Sequence, residues 1–306
     1  MASLQIINRR IRSVRSTRQI TKAMQLVAAS KLRRAQQAAL GPQAFAQAAR
    51  EFLARLSGQP VVKRHPLMQA RPVKRVLYIV IAGDRGMAGG YNSNILRALG
   101  RSVRERGLSG KVRIQTKQER GLAMEQSGSA NIAIGIGKRV SMGLARAKDV
   151  SQIEAYDCDV EDTAHQIVLP ALDRVFKLYE ENQIDAVDLV STDFVSTVTQ
   201  RVNVRQLLPV VVPPDTKSSG DAEMEPEPDD LVDFAIRRVL EAQLTQAILE
   251  ARASEQAARM LAMMNATDNA SDIIDDLTLL YNNERQSSIT QEISEISAGA
   301  EAISGA

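Results

Sequence analysis

Residues 3–35 read SLQIINRRIRSVRSTRQITKAMQLVAASKLRRA, and this stretch decides the fold. Its apolar positions Leu4, Ile7, Ile11 and Val14 are spaced by threes and fours, and the series continues through Ile20, Met24, Val27 and Ala28. Apolar residues at that spacing form the seam of a coiled coil. Alanine, glutamine and arginine fill the intervening places, all good helix formers, and no proline precedes Pro42. Gly41-Pro42 is expected to kink or interrupt the helix, after which Phe45, Ala49, Phe52 and Leu56 resume the spacing until Ser57-Gly58-Gln59-Pro60 ends it. Such a helix from Ser3 to Leu56 would be roughly 80 Å long, so most of it is expected to project.

The other end of the chain repeats the pattern. Between Asp229 and Ala298 there is neither proline nor glycine, and Pro226 and Pro228 stand just ahead, where proline is tolerated at a helix start. Unbroken, this helix would reach roughly 100 Å, although the polar group from Thr267 to Ser271 could divide it in two. Ile289, Ile293, Ile296, Ala300 and Ile303 again have coiled-coil spacing. Neither helix can bury its stripe alone, so the two are expected to cover each other as an antiparallel pair.

The middle changes period. Lys74–Ala82 (KRVLYIVIA) is a short apolar run rich in β-branched residues and reads as a buried strand. The turn GDRGMAGG follows, then a helix over Tyr91–Arg106, with Asn92 or Ser93 as its N-cap and Ile95, Leu96, Leu99 and Val103 on one face. Lys111–Gln115, Asn131–Ile136, Asp185–Thr192 and Val195–Arg205 are further strand candidates, and Asp162–Glu181 is a helix that Pro170 should kink or split. Strands alternating with helices imply a doubly wound, mainly parallel, Rossmann-like α/β domain inserted between the terminal helices. The expected division is a coiled-coil helix over 1–58, an α/β body over 72–212, an acidic proline-rich linker over 213–228, and a second coiled-coil helix over 229–306.

Composition narrows the function. In 306 residues, 39 basic and 36 acidic side chains nearly cancel, so overall charge does not point to nucleic acid. The first fifty residues nevertheless hold ten basic side chains and no acidic one, which calls for an acidic partner. With 3% aromatics, no tryptophan and no helix-turn-helix or zinc signature, nucleic acid is not the expected one. A single cysteine, Cys158, and two histidines leave no disulfide framework and little for a metal centre. No apolar run is long enough to span a bilayer, and no signal-peptide core opens the chain, so a cytoplasmic location is expected. The glycine turn after the first strand resembles a phosphate cradle, but Gly83, Gly86, Gly89 and Gly90 are not spaced as GxGxxG, and no GxxxxGK[ST] occurs. A tight turn presenting Asp84 and Arg85 is the preferred reading, with no catalytic residue and no cofactor.

Three segments carry a resemblance to a known family: ITKAMQLVAASKLRRAQ (Ile20–Gln36), GDRGMAGGYNSN (Gly83–Asn94), and ASEQAARMLAMMNATDNASDII (Ala253–Ile274) with YNNERQSSITQEISEI (Tyr281–Ile296). In this order and placement they resemble the γ subunit family of the F-type ATP synthase, its central rotor shaft. The resemblance covers both terminal helices and the first strand-turn-helix, and is weak from about residue 111 to 160.

It implies a non-catalytic subunit whose coiled coil enters a ring of three α and three β subunits. The α/β domain would be a foot on the membrane c ring beside subunit ε, peripheral to the cytoplasmic face of a bacterial membrane. Ion flow would turn the foot, and the turning shaft would drive ATP synthesis on β. Position by position, the resemblance assigns contacts with β to Lys22, Met24 and Gln25, to the turn Asp84, Arg85 and Gly86, and to Arg285, Gln286 and Thr290. It makes Ile289, Ile293 and Ile296 the shaft tip in the α/β sleeve, and puts Glu223, Glu225 and Glu227 in a loop near the c ring. Two departures stand out: Met87-Ala88 where the family often has Leu-Cys, and Asn283-Glu284 just before Arg285, where a carboxylate could pair with that arginine.

Overall fold

A computed structural model describes residues 2–56, 62, 64–108, 111–117, 123–147, 149–158, 164–210 and 228–304. The expected linker lies outside these residues up to 227, and with it Glu223, Glu225 and Glu227. The chain divides into two compact units, one of Met1–Ala28 with Met260–Ala306 and one of Ala29–Arg259.

The larger unit is built on β1 (Val76–Ile81), whose six residues are all buried. A strand apolar on both faces belongs in the middle of a covered sheet. Accordingly β1 pairs in parallel with β4 (Asn131–Ile136) on one side and with β6 (Ala186–Phe194) on the other. Beyond β4 lies the parallel β5 (Ser151–Tyr156), and beyond β6 the antiparallel β7 (Gln200–Leu208), giving the order β5-β4-β1-β6-β7. A separate antiparallel hairpin is formed by β2 (Lys111–Lys117) and β3 (Ala123–Ser129). The mainly parallel sheet matches expectation; β3, β5 and the short α3 (Lys138–Leu144) are additions that the residue pattern did not announce.

Side-chain alternation along β1 sorts the core into two layers. Val76, Tyr78 and Val80 face α2 (Tyr91–Arg106) and α3, joined by Ile95, Leu99 and Val140. Leu77, Ile79 and Ile81 face α4 (Ala164–Glu180) and the long α5 (Pro228–Ser304). The apolar stripe Val232, Ile236, Val239, Leu240, Leu244, Ala247, Ile248 and Ala251 places the first turns of α5 in that second layer. Each valine, leucine and isoleucine of this stripe contributes about 1.5–3 kcal/mol on burial. Pro170 lies inside α4 without splitting it. The N-cap of α2 is Gly90, with no side-chain cap bond, rather than Asn92 or Ser93. Asn92 is instead drawn back to the preceding turn, where its Oδ1 accepts the Gly83 N–H at 3.0 Å.

The smaller unit pairs two helices. Helix α1 (Ala2–Leu56) runs on through Pro42, and α5 passes unbroken through Thr267–Ser271. The Thr21 and Thr267 hydroxyls meet at 2.8 Å. Because α1 leaves this unit after Ala28 and α5 enters it at Met260, the two helices run antiparallel. Ile11, Ala28, Met263, Thr267, Ala270 and Ile274 are its buried positions. Ile20 and Val27, expected on the seam, are 58% and 57% exposed. Thr21, one position on from Ile20, and the expected Ala28 lie on the seam instead, because the alternating three-and-four steps of Leu4, Ile7, Ile11 and Val14 continue to residues 18, 21, 25 and 28 rather than to 20 and 27.

Candidate functional site

The register of the helix pair determines what its far end can do. Counted outward from Thr21 and Thr267, Leu4 stands opposite Glu284 and Ala2 opposite Gln286. Among the described residues α1 starts at that level, so residues 288–304 of α5, about 25 Å of helix, have no described residue of α1 beside them. Ile289, Ile293 and Ile296 fall on this overhang and are 47%, 62% and 72% exposed. They are not buried in a two-helix seam among the described residues. An apolar row left open by the chain itself suits a surrounding partner.

Just before the overhang, Arg285, Gln286 and Thr290 are exposed, and the Thr290 hydroxyl donates to the Gln286 carbonyl at 2.9 Å. Among the described residues, no ion pair joins Glu284 to Arg285. On α1, Lys22 is exposed and its Nζ donates to Gln25 Oε1 at 3.3 Å, while Met24 and Gln25 are half-buried. Arginines 9, 10, 12, 15 and 18 are all exposed, so the basic run lies at the surface.

The glycine turn belongs to the larger unit and leads from β1 into α2. Asp84 Oδ1 accepts the Lys138 N–H at 2.8 Å, and Oδ2 accepts the Cys158 N–H at 3.0 Å. The carboxylate thus ties together the chain just after β1, the start of α3 and the segment after β5. Arg85 is exposed, and Gly86 is so close to Arg139 that a Cβ there would lie 2.9 Å from its guanidinium. A Cβ on Gly83 would lie 2.7 Å from the Glu255 carboxyl, so a larger residue here would displace that side chain.

Helix α5 lies across the C-terminal ends of β1 and β6, where doubly wound sheets ordinarily hold ligands. The Tyr91 hydroxyl donates to the Ala251 carbonyl at 2.9 Å and Ser254 Oγ to the Thr192 carbonyl at 3.3 Å. Arg252 donates from Nε to Cys158 Sγ at 3.3 Å, and Arg259 binds Glu255 Oε1 at 2.5 Å. Burial pushes the Glu255 carboxyl up, opposed by Arg259 and Arg252, and burial likewise raises the Cys158 thiol and the Tyr91 hydroxyl. This arrangement clamps a helix to a sheet with charge-assisted bonds. Glu255, Arg252 and Arg259 were not singled out from the sequence, where they occur as ordinary charged positions of a long helix. Among the described residues, no cluster of histidine, cysteine, aspartate and glutamate could hold a metal, and no helix is long and apolar enough to cross a membrane.

Comparison with known proteins gives a consistent picture. A family profile described as ATP synthase matches residues 3–303. The ATP synthase gamma chain of Heliobacterium modesticaldum is 37% identical over 99% of this chain and its own full length. That of Desulfitobacterium hafniense is 38% identical, with the same coverage of each. Among solved structures, a chain of the Euglena gracilis mitochondrial ATP synthase rotor superposes with a TM-score of 0.61 at 16% identity, covering 94% of this chain and 99% of that one. A chain of the OSCP/F1/c-ring assembly of the same enzyme gives 0.62 at 17% identity, covering 99% and 95%. At such identities the structural likeness speaks to the fold.

Proposed function

The chain belongs to the ATP synthase gamma-chain family, and on that premise we propose that it is the central-stalk subunit of an F1 sector. In that role it transmits rotation between a membrane c ring and the catalytic ring of α and β subunits, beside subunit ε, on the cytoplasmic side of the membrane. The observation that carries this reading is the overhang of α5, which leaves Ile289, Ile293 and Ile296 open to a sleeve supplied by other subunits. We infer that the chain has no catalytic site of its own; in support, α5 occupies the strand ends where a doubly wound sheet would hold a substrate.

Torque requires a surface that differs around the shaft, so that each β site meets a different face at each angle. The exposed Lys22, with Met24 and Gln25, and the exposed Arg285, Gln286 and Thr290 supply polar and basic groups for acidic loops of β. At the glycine turn the roles divide: Asp84 shapes the loop through its two amide bonds, and Arg85 is the group offered to the partner. Glu223, Glu225 and Glu227 are assigned to the c-ring side on the family resemblance alone.

A double substitution tests the reading. Ile293→Asp with Ile296→Asp changes two exposed positions, so the melting of the isolated chain should be nearly unaltered, within about 0.5 kcal/mol per site. Association with α and β should weaken by about tenfold or more, as expected for losing apolar anchors at an interface. Unchanged assembly and unchanged ATPase coupling would reject the sleeve.

A further inference from the structure

In the glycine turn between β1 and α2, Met87 is 64% exposed while its backbone lies in the left-handed region, at φ 60°. That region crowds a Cβ against the following carbonyl oxygen, so it ordinarily falls to glycine. The same turn places a second residue there, at φ 55°, and that residue is Gly89. Position 87 thus keeps a large apolar side chain where the backbone alone favours none. Burial does not account for it, because the neighbouring Ala88, only 3% exposed, supplies the packing against the core.

The residues on either side of Met87 are pinned. Asp84 accepts the Lys138 and Cys158 amides, and Asn92 accepts the Gly83 N–H while its Nδ2 donates to the Arg85 carbonyl at 3.4 Å. Arg259 reaches the Gly86 carbonyl at 3.5 Å, and the Tyr91 N–H donates to the Ala88 carbonyl at 3.2 Å. With both flanks fixed, the backbone at residue 87 cannot relax, and the side chain stays in solvent. Strain that the surroundings over-determine clusters at sites that bind or switch. Two positions earlier in the same turn, Arg85 is exposed as well.

We propose that Met87 is an apolar anchor for the ring subunit that meets this turn, seated in an apolar pocket beside a carboxylate that receives Arg85. The two exposed side chains set that chemistry: a guanidinium pairs best with a carboxylate, and an unbranched thioether fits irregular apolar surfaces. A rotating shaft brings the turn to each β subunit at changing distances, and the flexible methionine stem lets contact persist through that change. An acidic surface without an apolar pocket would engage Arg85 alone and gain nothing from Met87. The proposal rests on the central-stalk reading and adds to it a contact that the family resemblance did not assign.

The test assembles the full chain with α and β subunits of a related F1 sector, and measures both the melting of the chain alone and its dissociation from the ring. Met87→Asn removes the apolar side chain while tolerating the left-handed backbone, and Met87→Leu keeps an apolar one. The asparagine variant is expected to melt within about 2 °C of the parent or above it, and to leave the ring about fivefold faster or more. The leucine variant should leave at a rate closer to the parent than to the asparagine variant. Equal dissociation of parent and asparagine variant, or a leucine variant that leaves as fast as the asparagine one, would overturn the proposal and leave the central stalk standing. An asparagine variant that melts well below the parent would also overturn it, by showing Met87 to be part of the packing of the body. A parent chain that does not join the ring would overturn the central-stalk reading and the proposal together.

Discussion

Gly137→Val is expected to unfold the α/β body or bring it close to unfolding. Gly137 ends β4 with φ 105°, and a Cβ at this place would lie 2.2 Å from the Ala82 carbonyl oxygen, where no side-chain rotation can relieve it. The position is held from several sides. The Gly137 N–H donates to the Tyr156 carbonyl at 2.8 Å, and the next amide, Lys138, donates to Asp84. Backbone strain of this kind costs about 1–3 kcal/mol and forced overpacking about 1–3 more. A β-branched residue belongs at the upper end of both ranges, so the loss should be about 3–6 kcal/mol against a typical total of about 5–15. Thermal denaturation followed by circular dichroism should show the larger unit melting about 6–24 °C lower. A Gly137→Ala chain that melts within 2 °C or so of the parent would show that the tight approach to Ala82 is not a real constraint.

Arg106→Leu is expected to be nearly as damaging at neutral pH, and to recover in acid. Asp188 has 3% of its side-chain surface accessible, and Arg106 is its ion-pair partner at 2.7 Å. Removing one member of a buried pair leaves an uncompensated charge, at a cost of about 3–5 kcal/mol. Burial already raises the Asp188 pKa, and Arg106 opposes that rise. Without the arginine the folded-state pKa climbs further above the unfolded value. A carboxyl whose folded pKa is raised is favoured by protonation, so its contribution to stability is present at low pH and lost as pH rises through the folded pKa. The deficit of the variant relative to the parent should therefore be greatest at and above neutrality and shrink towards the ordinary carboxylate range. Adding Asp188→Asn to Arg106→Leu should restore part of the neutral-pH loss. A deficit independent of pH would mean that Arg106 contributes by packing alone.

These two sites show how much of the fold was legible in the residues. VLYIVI could only be a central strand, and NIAIGI its neighbour, because uninterrupted apolar runs of that length need cover on both faces. The span of helix α2 was legible from the spacing of Ile95, Leu99 and Val103, although its N-cap is Gly90 and not Asn92 or Ser93. The strand SQIEAY was not, since it sits at an edge where no residue is fully buried and no alternation develops. The strand AMEQSGS is polar, and pairs outside the main sheet with a partner that sequence alone does not identify. The left-handed backbone of Gly137 was not legible, because a glycine's φ cannot be read from its neighbours. In the helix pair, Ala28 is buried as the expected seam had it, but Ile20 and Val27, placed on that seam for their apolar character, are exposed. The overhang that exposes Ile293 depends on the register against Thr267, which is a property of the pair and not of either stripe.

Family membership supplies the assembly in which these features have meaning, and the account rests on the helix pair acting as a shaft. The most direct measurement fixes a ring of α and β subunits from a related F1 sector to a surface, assembles this chain into it, and follows a bead attached to the α/β body while ATP is supplied. Stepwise rotation in one direction that stops when ATP is withdrawn is the predicted result. A ring that hydrolyses ATP with this chain stably bound while the bead only fluctuates at random would contradict it.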